Sequence, residues 1–278
     1  MLSLPDIEAL HAKHNKPGFG TTTPEELAFI QTTIHAHKPK RFIEVGTASG
    51  LTTGFIALFM EEIGGGTVTS IDSARRFFGD PSKPVGYLAP YIYGGEAVDI
   101  QICANTTVLD ADTLGGPWDM AFVDADHSHP WPTLDTLVLA PHLTGPRLVL
   151  HHDLQLFRRH VLFRGVGPRA LFNEVPEEYR HADPANGWNM FYMDLNMPQD
   201  TLTEVVANAL CMPWTDRPPI PRHTLDRFRG MIRTHYGADL AQVLDEAAHV
   251  NRWSLPKRAV FALRHKVSRI RKALSRTN

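Results

Sequence analysis

Residues 41–60 read RFIEVGTASGLTTGFIALFM. Arg41 to Val45 is a short, β-branched and apolar run, an apolar segment of helical length begins at Leu51, and Gly46 and Gly50 stand between the two. A strand that turns through glycines into a helix opens a nucleotide-type site, where close backbone approach and the helix N-terminus hold the ligand. The spacing is E-x-G-x-x-x-G, with Glu44 ahead of the first glycine, not the G-x-G-x-x-G that closes N–H groups on a pyrophosphate. An acid at that place suits a ligand with a positive amino group better than one with two phosphates. Gly46 lets the backbone come close, and the helix start at Ser49 and Gly50 favours a carboxylate.

Downstream, GTVTSID (66–72), VDIQICA (98–104), WDMAFVD (118–124) and PRLVLHH (146–152) are further short apolar runs separated by helix-length segments. Upstream, TTTPEELAFIQTTIHAH (21–37) opens with Thr23 as N-cap, Pro24 at the first helical position and two acids in the first turn, which predicts a helix. Such β/α alternation, with strands apolar on both faces, predicts a parallel sheet covered on both sides and ligands at the strand C-termini. HADPANGWNMFYMDL (181–195) reads as a turn and a final strand, the second arm of an antiparallel hairpin. The expectation is an α/β, Rossmann-like, mostly parallel seven-stranded sheet with helices on both faces and a C-terminal helical extension. The pattern changes near residue 200 and is interrupted by the proline-rich MPWTDRPPIP (212–221), so 1–200 is expected as one domain and 201–278 as the extension.

With 278 residues, 43% of them hydrophobic, and a net charge of −2, the chain can build a sizeable core and gives no global reason to expect DNA. No apolar run approaches the roughly 20 residues of a membrane-spanning helix. The opening MLSLPDIEALHAKHN lacks the basic-then-apolar order of a secretion signal, and Cys103 and Cys211 have no CxxC spacing; both observations lead to a cytoplasmic expectation. Lys257 to Asn278 holds eight Lys or Arg and no acid, with Val260, Leu263, Val267, Ile270 and Leu274 at helical spacing. This basic amphipathic tail is a candidate for packing on the body, for a homo-oligomer contact or for peripheral membrane contact.

Asp72, 22 residues beyond Gly50, ends the second strand where a carboxylate can accept hydrogen bonds from both ribose hydroxyls. With EVGTASG, SID, WDMAFVDADH and RLVLHHD in this order, residues 24–195 resemble the class I S-adenosylmethionine-dependent methyltransferases. The resemblance implies S-adenosylmethionine as cofactor, with Glu44, Gly46, Ser49, Gly50, Asp72, Asn105 and Asp124 as its contacts. FVDADHSH followed by LHHD is most similar to O-methyltransferases of small molecules and sugars, the catechol-type and macrolide-sugar enzymes. Those families hold a divalent cation, and the carry-over makes Asp124 and Asp153 ligand positions, with His152 as a neighbouring candidate for Mg²⁺ or Mn²⁺. The match is incomplete, since the sugar enzymes would have Glu at position 152 and the catechol-type enzymes Asn at position 154.

Methyl transfer to an alcohol needs the oxygen aligned behind the methyl group and its proton removed. Asp124 is expected to position, and His127, three residues on as in the macrolide-sugar enzymes, to accept the proton, since an imidazole suits that work near neutral pH. Asp126 orients His127 or meets the substrate, His129 is read as a loop residue, and His151 as a packing or site residue. The acceptor, a small molecule or sugar, is expected against residues 16–23, Tyr87 to Tyr93 and the helices after residue 200. Other classes remain open: a metal-dependent hydrolase using Asp124, His127, His129, His152 and Asp153, a non-catalytic S-adenosylmethionine-binding module, and an RNA methyltransferase working through the tail.

Overall fold

The computed structural model describes residues 1–15, 22–158, 165–216 and 219–251. The basic tail lies outside these residues. Helices α1 (Leu4–His14) and α2 (Pro24–His37) precede the sheet, α3 (Leu51–Glu61) and α4 (Ala89–Ile92) lie within its first half, and α5 (Trp131–Leu139) and α6 (Gly167–Glu174) within its second. Helices α7 (Gln199–Leu210), α8 (Arg222–Tyr236) and α9 (Ala238–Asn251) follow it. α2 starts at the expected N-cap, Thr23, and Glu26 completes a capping box by accepting from the Thr23 N–H at 2.7 Å.

The strands are β1 (Arg41–Val45), β2 (Gly66–Asp72), β3 (Val98–Ala104), β4 (Trp118–Val123), β5 (Leu143–His151), β6 (Arg180–Ala182) and β7 (Phe191–Asp194). They form one seven-stranded sheet in the order β3-β2-β1-β4-β5-β7-β6. β1 to β5 are mutually parallel, and β7 runs antiparallel to both β5 and β6, which gives the expected hairpin. The order reverses between β1 and β4, so the loops after these two strands diverge and leave a crevice at their C-terminal ends.

Period-two alternation divides the core. Phe42, Val68, Met120, Phe122, Leu148 and Leu150 face a cluster built with α1 to α4. Ile43, Val45, Ile71, Ala121, Val123 and Val149 face a second cluster, built with α5 and the later helices. Each buried Phe, Leu or Ile contributes roughly 1.5–3 kcal/mol, so both faces of the sheet are fixed by burial. The helices after residue 200 belong to that second cluster: Leu202, Val206, Phe228, Ile232 and Leu244 are buried with the strand residues. Among the described residues no helix is long and apolar enough to cross a membrane.

Candidate active site

Gly46 has φ +103, and a Cβ there would lie 2.2 Å from the carbonyl oxygen of Asp124, so the two strand ends meet at a distance only glycine allows. The Gly46 N–H donates to the Ile71 carbonyl at 2.9 Å and the Asp124 N–H to the Val45 carbonyl at 2.8 Å, tying the ends of β1, β2 and β4 together. The Asp72 carboxylate accepts from the Ala48 N–H at 2.9 Å and the Ala74 N–H at 2.8 Å, which fixes it over the loop with lone pairs left for a ligand. A cavity of about 750 Å³ opens here, lined by Gly46, Asp72, Asp124 and His127 on one side and by Thr107, Leu109 and Trp131 on another. Pro221, Thr224 and Phe228, from the start of α8 and the residue before it, complete its wall.

Of the other expected cofactor residues, Glu44 is fully buried beneath the loop, where it accepts from the Ser70 hydroxyl at 2.5 Å and from the Thr53 hydroxyl. Burial pushes its pKa up to about 8. It does not line the cavity, and neither do Ser49, Gly50 and Asn105. Gly50, at φ +82, caps α3 and packs against the Gly86 backbone. Ser49 is buried, and Asn105 is exposed at φ +57, just before the cavity-lining Thr106 and Thr107.

At the ends of β4 and β5 four side chains converge. His127 Nε2 lies 3.1 Å from Asp124 Oδ1 and 3.3 Å from Asp153 Oδ2. His152 Nδ1 is 2.9 Å from the same Asp124 oxygen, and its Nε2 is 3.0 Å from Glu26 Oε2. Burial opposes charge on His152, but Asp124 and Glu26 outweigh it and hold its pKa well above that of free imidazole. The reciprocal effect holds Asp124 and Glu26 below the usual carboxylate range despite their burial. Asp153 sits at φ +60, the left-handed region, and accepts from the Asn189 amide at 3.2 Å; the same amide donates to Glu26 at 2.6 Å.

Behind this quartet lies a second, polar cavity of about 390 Å³, lined by Glu25, Glu26, His152, Asp153, Asn186 and Asn189 among others. Residues 16–21, expected to help enclose the acceptor, fall outside the described residues. The Tyr87–Tyr93 segment lines neither cavity, and α8 lines the first rather than the second. Glu26 and Asn189 were not singled out from the sequence; the acid at the third helical position of a capping box was the available signal for Glu26.

Of the remaining candidates, Asp126 lines the first cavity, whereas His129 and His151 line neither. Asp126 accepts from the Ser128 N–H at 2.8 Å and from its hydroxyl at 2.5 Å. His129 is in the loop as expected but fully buried, which pushes its pKa down to about 4, and its carbonyl accepts from the N–H groups of Thr215 and Asp216. His151 packs flat on Phe191, shares a hydrogen bond with the Thr136 hydroxyl, and is driven by burial to about 3. Cys103 and Cys211 are half-buried free thiols.

Residues 43–154 match the family described as a methyltransferase domain. No curated protein matches the chain. Similar solved structures include the O-methyltransferase TomG from Streptomyces achromogenes, involved in tomaymycin synthesis, in complex with SAM. It is 15% identical over 69% of this chain and 88% of its own, with a TM-score of 0.48. An O-methyltransferase from Bacillus cereus in complex with SAH is 15% identical over 68% of this chain and 88% of its own, with a TM-score of 0.46. The MycE methyltransferase of the mycinamycin biosynthetic pathway, in complex with Mg, SAH and mycinamycin VI, is 15% identical over 68% of this chain and 54% of its own, at 0.41. The matched stretch runs from β1 to the residues just after β5 and so carries the glycine loop, Asp72 and the Asp124–Asp153 corner; this part of the chain is similar to a methyltransferase domain.

Proposed function

We propose that the protein moves the methyl group of S-adenosylmethionine to a hydroxyl of a small molecule or sugar, with His127 as the proton acceptor. The observation that carries this reading is the position of His127. Its Nε2 is bracketed by Asp124 and Asp153, at a corner shared by the 750 Å³ cavity with Gly46 and Asp72 and the 390 Å³ polar cavity beyond. The first cavity suits the cofactor, with Asp72 on the ribose and Gly46 against the methionine end, and the second suits the acceptor.

The cofactor supplies the electrophile, a sulfonium methyl, and the carbon–sulfur electron pair passes to sulfur as the acceptor oxygen bonds to carbon. The protein's part is alignment and proton removal. With Nε2–H donated to the two carboxylates, Nδ1 of His127 carries the lone pair that takes the hydroxyl proton. Asp124 and Asp153 hold the ring and stabilise the imidazolium, the division of labour seen wherever a carboxylate orients a histidine base.

The corner also fits a divalent cation. Asp124, His127, His152 and Asp153 each offer a ligand atom, all within 4.8 Å of one another. Two carboxylate oxygens and two ring nitrogens suit Mn²⁺ or another transition ion better than Mg²⁺. Asp124, Asp153 and His152 would hold it, and it would supply positive charge that eases ionisation of the acceptor hydroxyl.

Replacing the base tests the assignment. General bases contribute typically about 10²–10⁴-fold, so His127→Ala should lower single-turnover methyl transfer by that order and leave S-adenosylhomocysteine affinity within about twofold. An unchanged rate across pH 5 to 9 would remove His127 from the chemistry.

A further inference from the structure

α5 brings one more acid to the cofactor cavity. Asp135 lies one turn beyond Trp131, is 6% exposed, and lines the cavity with that tryptophan. Its helix neighbours Leu134, Leu137 and Val138 are buried apolar residues, so the packing gives no reason for a carboxyl here. Among the described residues no N–H, O–H or cation pairs with it, and the charged side chain that acts on it is a second acid, Asp126. Asp126 is already satisfied by Ser128. A buried polar group left unpaired costs about 1–3 kcal/mol, so the missing partner is to be sought in the ligand.

S-adenosylmethionine carries three groups of donors. Its ammonium belongs at the Gly46 and Asp124 end and its ribose hydroxyls at Asp72, which leaves the 6-amino group of the adenine. The elements packed against α5 offer a surface for a flat base: Val108, Leu109 and Phe228 from them, with Trp131 of α5 itself, are apolar residues that line the cavity. Burial and the Asp126 carboxylate push Asp135 up to about 8, so at neutral pH it presents a carbonyl acceptor beside an O–H donor. The adenine edge presents the complementary pair, an N–H donor at N6 and an acceptor at N1.

Resting on the assignment of this cavity to S-adenosylmethionine, we propose that Asp135 reads the adenine edge, accepting from N6–H and donating to N1. Asp135 lies outside the glycine loop and the acids at the strand ends, so this contact is one that the chain's motifs do not supply.

The test compares S-adenosylhomocysteine with its analogue whose purine carries hydrogen in place of the 6-amino group, each titrated calorimetrically into the full chain. The wild type should prefer S-adenosylhomocysteine by about tenfold, the usual scale for one buried hydrogen bond with its partner left unpaired. Asp135→Leu, nearly isosteric, should bind both compounds equally and bind S-adenosylhomocysteine about tenfold more weakly. Its unliganded thermal midpoint should equal or exceed that of the wild type, because a strained acid has been removed. Asp135→Asn keeps an acceptor beside a donor and should retain the preference. An undiminished preference in the leucine variant, or its loss in the asparagine variant, overturns the proposal. Failure of the wild type to bind S-adenosylhomocysteine at all overturns the cofactor assignment and the proposal with it.

Discussion

Gly46→Ala probes the contact on which the site is built. The added Cβ would meet the Asp124 carbonyl oxygen at 2.2 Å and its carbon at 2.6 Å, where 3.4 Å is the near edge of ordinary contact. The obstruction is backbone, so the ends of β1 and β4 must separate by about 1 Å to relieve it, the shortfall between those distances. The residue would also hold φ +103 with a side chain. The backbone conformation costs about 1–2 kcal/mol and the overpacking about 1–3 kcal/mol, together about 2–5 kcal/mol. Gly115→Ala is the control, since Gly115 has φ +77 and nothing within 4 Å of its built Cβ, and so should show the first contribution alone. The carbonyl that is pushed away belongs to Asp124, whose side chain holds both His127 and His152, and a misplacement of about 1 Å can cost roughly 10²-fold in rate. Urea unfolding of the two variants, with S-adenosylhomocysteine calorimetry on each, measures both effects. Equal stability of the two variants, with cofactor affinity unchanged in Gly46→Ala, would refute the close-approach argument.

Three further expectations follow from the same geometry. Asp72→Ala should weaken S-adenosylhomocysteine binding by about 1.5–3 kcal/mol, the scale of hydrogen bonds to a charged group, and calorimetry showing equal affinity would take Asp72 out of the site. Glu44 and Asp135 keep their protons to about pH 8 in the fold and lose them near pH 4 when unfolded, and His152 also holds its proton more tightly in the fold. The folded state therefore carries the extra protons between about pH 6.5 and 8, and stability should fall as pH rises, by roughly 1.4 kcal/mol per pH unit per proton. Below that window His129 and His151, pushed down to about 4 and 3, take protons in the unfolded state and oppose the trend. Denaturation of Glu44→Gln should show the alkaline slope reduced by one proton, and an unchanged slope would deny Glu44 its raised pKa. Mn²⁺ should raise the thermal midpoint of the wild type and leave that of Asp153→Asn unmoved; an equal rise in both would place the ion elsewhere.

What was legible in the sequence is what the chain writes locally. Strand, glycine loop and helix are contiguous from Arg41 to Met60, so E-x-G-x-x-x-G reported the crevice, and Asp72 and Asp124 followed from their places at strand ends. Glu44 shows the limit of that reading. It shares the face of Phe42, two residues earlier, and that face looks onto α3, so its carboxyl meets Thr53 rather than the ligand cavity. Glu26 and Asn189 meet across 163 positions of sequence, and the α8 wall reaches the cavity because that helix docks against α5. Such contacts are made by tertiary packing and leave no periodicity or spacing to read. His129 and His151 sat close to the motif for the opposite reason: strand ends and tight loops bury side chains whatever their chemistry.

On the proposed mechanism, the charges at the corner favour the direction in which methyl transfer would move charge. Before transfer the positive charge is on the sulfonium, at the end of the first cavity marked by Gly46 and Asp124. Afterwards, with His127 as the acceptor, the positive charge would lie on its ring. Asp124 adjoins both places: it lines the cavity beside Gly46 and lies 3.1 Å from His127 Nε2. Asp153 adjoins the second, 3.3 Å from that nitrogen, and lines the polar cavity instead of the first one. Its charge therefore favours the state after proton transfer more than the state before, and only such a difference lowers a barrier. His152, held between Asp124 and Glu26, offsets part of the negative charge and holds both of those carboxyls below the usual range despite their burial.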